Sequence, residues 1–71
     1  MSMIKPGVYR HFKGKRYRVL FEAVNSETGE RMVVYLALYG EGGVWVRPAS
    51  MWEEQVEADG VTQPRFAFES D

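Results

Sequence analysis

Few side chains in this sequence could carry covalent or metal chemistry, and their spacing narrows the choice further. His11 is the sole histidine, cysteine is absent, and the serines are Ser2, Ser26, Ser50 and Ser70. A lone imidazole without thiolates or a second imidazole cannot complete a standard zinc site. As a general base it would need a nucleophile or a paired acid, and none of the serines lies in a nucleophile elbow. Glu53, Glu54, Glu57 and Asp59 cluster along the chain, but their spacing does not match a calcium loop and reads as a solvated acidic face. No catalytic residue, metal site or cofactor is expected. What remains is non-covalent recognition, with aromatic rings to stack and arginine to pair with anions. Both residue types concentrate in VYLALYGEGGVWVRP, from Val34 to Pro48.

Gly40, Gly42 and Gly43 first suggest a phosphate-cradling loop. A Walker loop requires Lys-Ser/Thr after its glycines and a helix starting there. Here Val-Trp-Val-Arg follows, which is a strand pattern. The stretch therefore reads as a β-hairpin, with Tyr39 and Val44 flanking a loop of about four residues in which glycine supplies the required φ. If Tyr39 lies opposite Trp45, then Tyr35, Tyr39, Trp45 and Arg47 share one face and aliphatic residues fill the core. A register one residue different sets Trp45 beside Leu36 and Leu38, inside the core, and loop length alone does not choose between the two.

The aromatic residues thus have two readings: the core of a very small domain, or a platform for a base or a peptide. Arg47 and Arg65, each beside a proline in an apolar setting, also have two. One is an internal ion pair, with Glu22 or Glu30 as partner. The other is a guanidinium fork presented to an anion. The expected ligand face comprises Tyr35, Tyr39, Trp45 and Arg47, with His11 and Arg65 at its rim.

A second surface is suggested by RHFKGKRYR, Arg10 to Arg18, which holds five Lys/Arg with His11, Phe12 and Tyr17 interleaved. That is the composition of a nucleic-acid surface, whose binding would be salt-sensitive. Against it stand a pI of about 5.8 and the common use of Lys and Arg to blunt edge strands. Charge is unevenly divided. Residues 1–35 carry seven Lys/Arg and three Glu, and residues 36–71 carry two Arg and seven Asp/Glu, giving +4 and −5 for a net −1. Within one small domain the halves lie together and partly neutralise each other.

Strands must position these groups. VYRHF (Val8 to Phe12) and RYRVLFEAV (Arg16 to Val24) flank a turn at Lys13-Gly14-Lys15. The second run alternates Tyr17, Val19, Phe21 and Ala23 against Arg18, Leu20, Glu22 and Val24, as a half-buried strand does. RMVVYLALY (Arg31 to Tyr39) is apolar on both faces and is expected to be central and covered on both sides. VWVR ends at Pro48, which cannot donate to a ladder. Ser50 followed by Glu53 has the spacing of a capping box and opens one or two helical turns. Asp59-Gly60 is a type I′ hairpin signal, and Pro64 pushes the last run to a sheet edge. The sum is a mainly β domain of five or six short antiparallel strands with one helical turn. A small SH3-like barrel, which removes exposed edges, is the expected architecture.

Seventy-one residues allow one domain, 1–71, ordered from about residue 7 to 68. A chain this short buries only about 60% of its unfolded surface, and homo-oligomerisation is a common remedy. The longest apolar run, Met32 to Tyr39, is too short for a bilayer-spanning helix, and MSMIKPG lacks a signal-peptide segment. With no cysteine, a reducing cytoplasm is the expected setting, with no membrane partner.

GVYRHFKGKRYRVL, the SETGE loop, VVYLALYGEGGVWVRPASMW and the terminal DGVTQPRF together resemble a small bacterial family catalogued as domain of unknown function 1653. The resemblance runs from Gly7 to Phe66 and rests on YRHFKG, LYG-GG-WVRP and PRF in that order and spacing. It implies a small accessory or binding module, because similar members also occur fused to other domains, and it assigns no role to any motif residue. The expected function is a binding module whose ligand, a peptide, a nucleotide or a nucleic acid, contacts the aromatic–arginine face. The alternative is a nucleic-acid module using residues 10–18.

Overall fold

The computed structural model describes residues 4–71. Its elements are β1 (Gly7–His11), β2 (Arg16–Val24), β3 (Arg31–Ala37), β4 (Val44–Pro48), α1 (Ala49–Trp52), β5 (Gln55–Ala58), β6 (Val61–Pro64) and β7 (Phe66–Ser70). Every strand pair is antiparallel, as short connections require. Five strands form one sheet in the order β4-β3-β2-β1-β7, and β5 and β6 form a separate hairpin. Its turn is Asp59-Gly60, with φ of 53° and 75°, the type I′ geometry that this dipeptide predicts.

The mainly β, antiparallel class follows from the strand pattern, but the strand count exceeds five or six because the run Val61 to Phe68 divides at Arg65. The Arg65 N–H donates to the Glu54 carbonyl at 2.9 Å, and its own carbonyl accepts from the Phe12 N–H at 2.9 Å. These two bonds carry the chain from one sheet to the other. The expected barrel closure is also absent among the described residues, since no β4–β7 pair joins the ends of the sheet. One face is covered instead by α1, which packs on β3 and β4.

Strand register defines that inner face. Tyr9 lies opposite Tyr17, Tyr17 opposite Ala37, Val19 opposite Tyr35, Tyr35 opposite Trp45 and Val33 opposite Arg47. On the far side His11 lies opposite Phe66. Trp52 drops onto this face from α1 and is only 2% exposed. Its ring stacks on Phe66 with centroids 3.7 Å apart and planes 3° apart, while Tyr9 meets it edge-on at 5.5 Å. The core therefore mixes the rings of Tyr9, Tyr35, Trp52 and Phe66 with Ile4, Val19, Val33 and Ala49, whereas a register that groups the tyrosines with Trp45 is expected to leave it to aliphatic residues. Large rings fill a small core with few residues, and each favourable pair adds about 0.5–1.5 kcal/mol beyond its buried area.

A bulge changes the reading of β2. Its pairing with β3 shifts between Val19 and Phe21, so alternation is reset by one residue. Phe21, expected beside Tyr17 and Val19, is turned to the outer face and is 55% exposed. Glu22, expected outside, is turned inward and has a side chain only 8% exposed. There its carboxylate accepts the Ile4 N–H at 2.6 Å and Arg31 Nε–H at 2.8 Å. On the outer face Phe21, Val34 and Val46 form a row across three strands. α1 covers the inner side of β3, and on the outer side Val34 is buried between the more exposed Phe21 and Val46.

The helix also starts earlier than a Ser50 cap would allow. Pro48, with φ −55° and ψ 136°, occupies the N-cap position, and no side chain caps the turn. The ring of proline fixes φ at a value suited to this bend, so Ser50 falls inside the helix. Ala49 and Trp52, three residues apart, then face the sheet together and are both buried.

Candidate functional site

The candidate site is built on the β3–β4 hairpin. β3 leaves the ladder after Ala37, two residues before the expected Tyr39, and the connection spans residues 38–43. It is closed by Ala37 N–H donating to the Gly43 carbonyl at 3.1 Å and Gly42 N–H donating to the Tyr39 carbonyl at 3.0 Å. Trp45 faces Tyr35 and not Tyr39. Because this register differs from the expected one by an even number of residues, Trp45 stays on the tyrosine face.

The result is a concavity of about 380 Å³ whose walls include Tyr17, Tyr35, Tyr39, Trp45 and Arg47, a volume within the range of small-ligand sites. Tyr35 is buried at 6% exposure, whereas the Trp45 indole is 59% exposed. The indole lies against the loop: a Cβ on Gly43, whose φ is +113°, would stand 3.1 Å from Trp45 Nε1. Tyr17 and Tyr39 join their hydroxyls at 3.1 Å, and Lys15 Nζ sits 4.2 Å from the Tyr39 ring centre. Burial, then the hydrogen bond shared with the Tyr39 hydroxyl, pushes the Tyr17 phenol up to about 12. At neutral pH it is a protonated group able to donate.

Among the described residues Arg47 is the one cation of the cleft wall. Its guanidinium carbon lies 5.5 Å from the Phe66 ring centre. Glu22, a candidate partner from the sequence, is instead paired with Arg31, because the bulge places the two at neighbouring inner positions. Among the described residues Arg47 has no ion pair at all, and its buried Nε–H has no acceptor.

His11 and Arg65 lie outside this wall. The His11 ring packs 4.6 Å from Phe12 and 5.0 Å from Phe66, its Nδ1 accepts the Lys13 N–H at 3.1 Å, and it borders a separate hollow with Arg10, Phe12 and Pro64. Burial, followed by the charges of Arg65, Arg47 and Lys13, holds its imidazolium below the usual histidine range. Arg65 pairs at the surface with Glu54 at 2.5 Å, not with Glu22 or Glu30 as expected. Sequence reasoning missed Tyr17 and Glu41 as wall residues and the approach of Lys15. The bulge between Val19 and Phe21 shifts the β2–β3 register that places Tyr17, and nothing in the sequence marks that shift or the approach of Lys15.

Three of the five cations of the basic segment Arg10–Arg18 share one face, while Lys15 reaches the Tyr39 ring. Arg10 pairs with Arg16 and Val8 with Arg18, which places Arg10, Arg16 and Arg18 on the outer face, opposite Tyr17. Arg16 is further engaged with Glu69 at 2.6 Å. Among the described residues no group of three His, Cys, Asp or Glu could hold a metal ion, and no helix is long and apolar enough to cross a membrane.

An open antiparallel sheet roofed by one helical turn, with tyrosines, a tryptophan and an unpaired arginine around a hairpin, defines a small mainly β domain with an aromatic–arginine cleft. A family described as "Protein of unknown function (DUF1653)" matches residues 7–68, and the chain belongs to that family. A crystal structure of a family protein from Bordetella bronchiseptica is similar with a TM-score of 0.87 and 42% sequence identity, covering 94% of this chain and 88% of that one. No curated protein matches the chain.

Proposed function

We propose that this protein is a small bacterial binding module, working in the cytoplasm, whose ligand rests against Tyr35, Tyr39, Trp45 and Arg47. The observation that carries this reading is the pairing of a largely exposed indole with an arginine that has no counter-ion in one cleft. In a domain this small a tryptophan would contribute most to stability inside, as Trp52 does, so an indole left at the surface beside a free cation suits contact with another molecule. The lack of cysteine suits a reducing compartment. Tryptophan fluorescence titrated against pools of nucleotides, peptides and metabolites tests the reading. Trp45→Ala is expected to keep the fold and abolish the response; a Trp45→Ala protein that binds as well as the parent contradicts it.

A further inference from the structure

Resting on that reading, we infer the chemistry of the ligand: a small anion carried on a flat ring, as in a nucleoside monophosphate, with the anion on Arg47 and the ring on Trp45. Three observations point there. First, the Arg47 guanidinium has no ion pair among the described residues, and phosphate or carboxylate oxygens accept from a guanidinium fork in two parallel bonds. Second, Arg47 lies at the Phe66 ring and not at a carboxylate, so its charge is oriented but not neutralised. Third, charge around the cleft is unbalanced. Arg47 and Lys15, whose ammonium sits over Tyr39, face one acid, Glu41, on the exposed loop.

Geometry adds the ring. Trp45 and Arg47 are two residues apart on one strand and share a face, an offset of about 6.6 Å. That is comparable with the reach from the phosphate of a mononucleotide to its base. The exposed indole supplies a stacking surface, and base–aromatic stacking tolerates any base. The hydrogen-bonded pair of Tyr17 and Tyr39 hydroxyls leaves one proton free to donate at the tyrosine wall. A cationic ligand, which an aromatic cage would otherwise suit, is disfavoured by Arg47 and Lys15.

The test is a titration of the intact chain with adenosine 5′-monophosphate, adenosine and inorganic phosphate, read by tryptophan fluorescence and calorimetry. The monophosphate is expected to bind saturably, with adenosine weaker by roughly tenfold to a hundredfold, the usual worth of charge-assisted hydrogen bonds. Arg47→Gln should bring the monophosphate down to the adenosine level. Arg47→Lys, which keeps the charge but not the fork, should fall between, and circular dichroism of both variants verifies the fold. A short single-stranded oligonucleotide with and without a 5′-phosphate separates the sources. A gain from the terminal phosphate that disappears in Arg47→Gln places the end of a strand in the cleft; equal binding of both forms leaves the free mononucleotide. Adenosine binding as tightly as its monophosphate, unchanged binding by Arg47→Gln, or no binding of the monophosphate overturns the inference. In the last case, a neutral ligand that still binds in a Trp45-dependent way leaves the proposed cleft standing, whereas loss of every Trp45-dependent signal removes both.

Discussion

The two tryptophans do opposite work although seven residues separate them. Trp52 is sealed under the helix and stacked on Phe66, so Trp52→Ala should remove about 3–5 kcal/mol, the usual cost of emptying an aromatic core site. Such a loss would unfold much of a domain with the marginal stability of a short chain. Trp45→Ala, at an exposed position, should change the urea midpoint by far less. Equal losses for the two would show that Trp45 is a core residue. His11 offers a pH test at the same scale. Its folded-state pKa is lowered, first by burial and then by three neighbouring cations, so the unfolded chain binds its proton more readily. The neutral imidazole therefore favours the folded state fully above the unfolded value of about 6.5, and that contribution is lost as pH falls through the lowered folded value. Proton NMR should place the His11 midpoint below 6.5, and His11→Asn should flatten stability against pH in that window.

At the scale of elements, alternation and turn chemistry made most strands readable, and local interruptions hid the rest. Asp59-Gly60 fixed the second hairpin because few dipeptides accept positive φ twice. The Leu20 bulge carries no sequence mark, yet it exchanges Phe21 for Glu22 on the inner face. The consequence is testable. Glu22 has its folded pKa lowered chiefly by the Arg31 hydrogen bond, so its contribution is present above the unfolded carboxylate value of about 4.3 and is lost as pH falls through the lower folded value. Glu22→Gln should lower the urea midpoint near pH 7 and lessen the dependence on pH below about 4.3; an unaltered acid profile would mean that Glu22 faces solvent. The candidate site was half legible. The hairpin and its four residues could be read from Tyr35, Tyr39, Trp45 and Arg47, but Tyr17 depends on a cross-strand register that no local pattern fixes. Gly43 links hairpin and site. Gly43→Ala, strained at φ +113° and 3.1 Å from the indole, should cost about 1 kcal/mol or more and shift the Trp45 emission.

For the whole molecule, α1 and the aromatic inner face supply stability, while the free end of the sheet at β4 carries the exposed indole and the unpaired guanidinium. Pro48, at the end of the edge strand β4, lacks an N–H to donate to another strand. Separation of the stabilising rings from the exposed ones is the central claim, and the indole N–H signals of the two tryptophans read it directly. In a nitrogen–proton NMR titration with adenosine 5′-monophosphate, the Trp45 indole and Arg47 Nε–H signals should move saturably while the Trp52 indole stays nearly fixed. Shifts confined to the backbone of residues 10–18, or no shift of Trp45 at millimolar ligand, would contradict a nucleotide-binding cleft between β3 and β4.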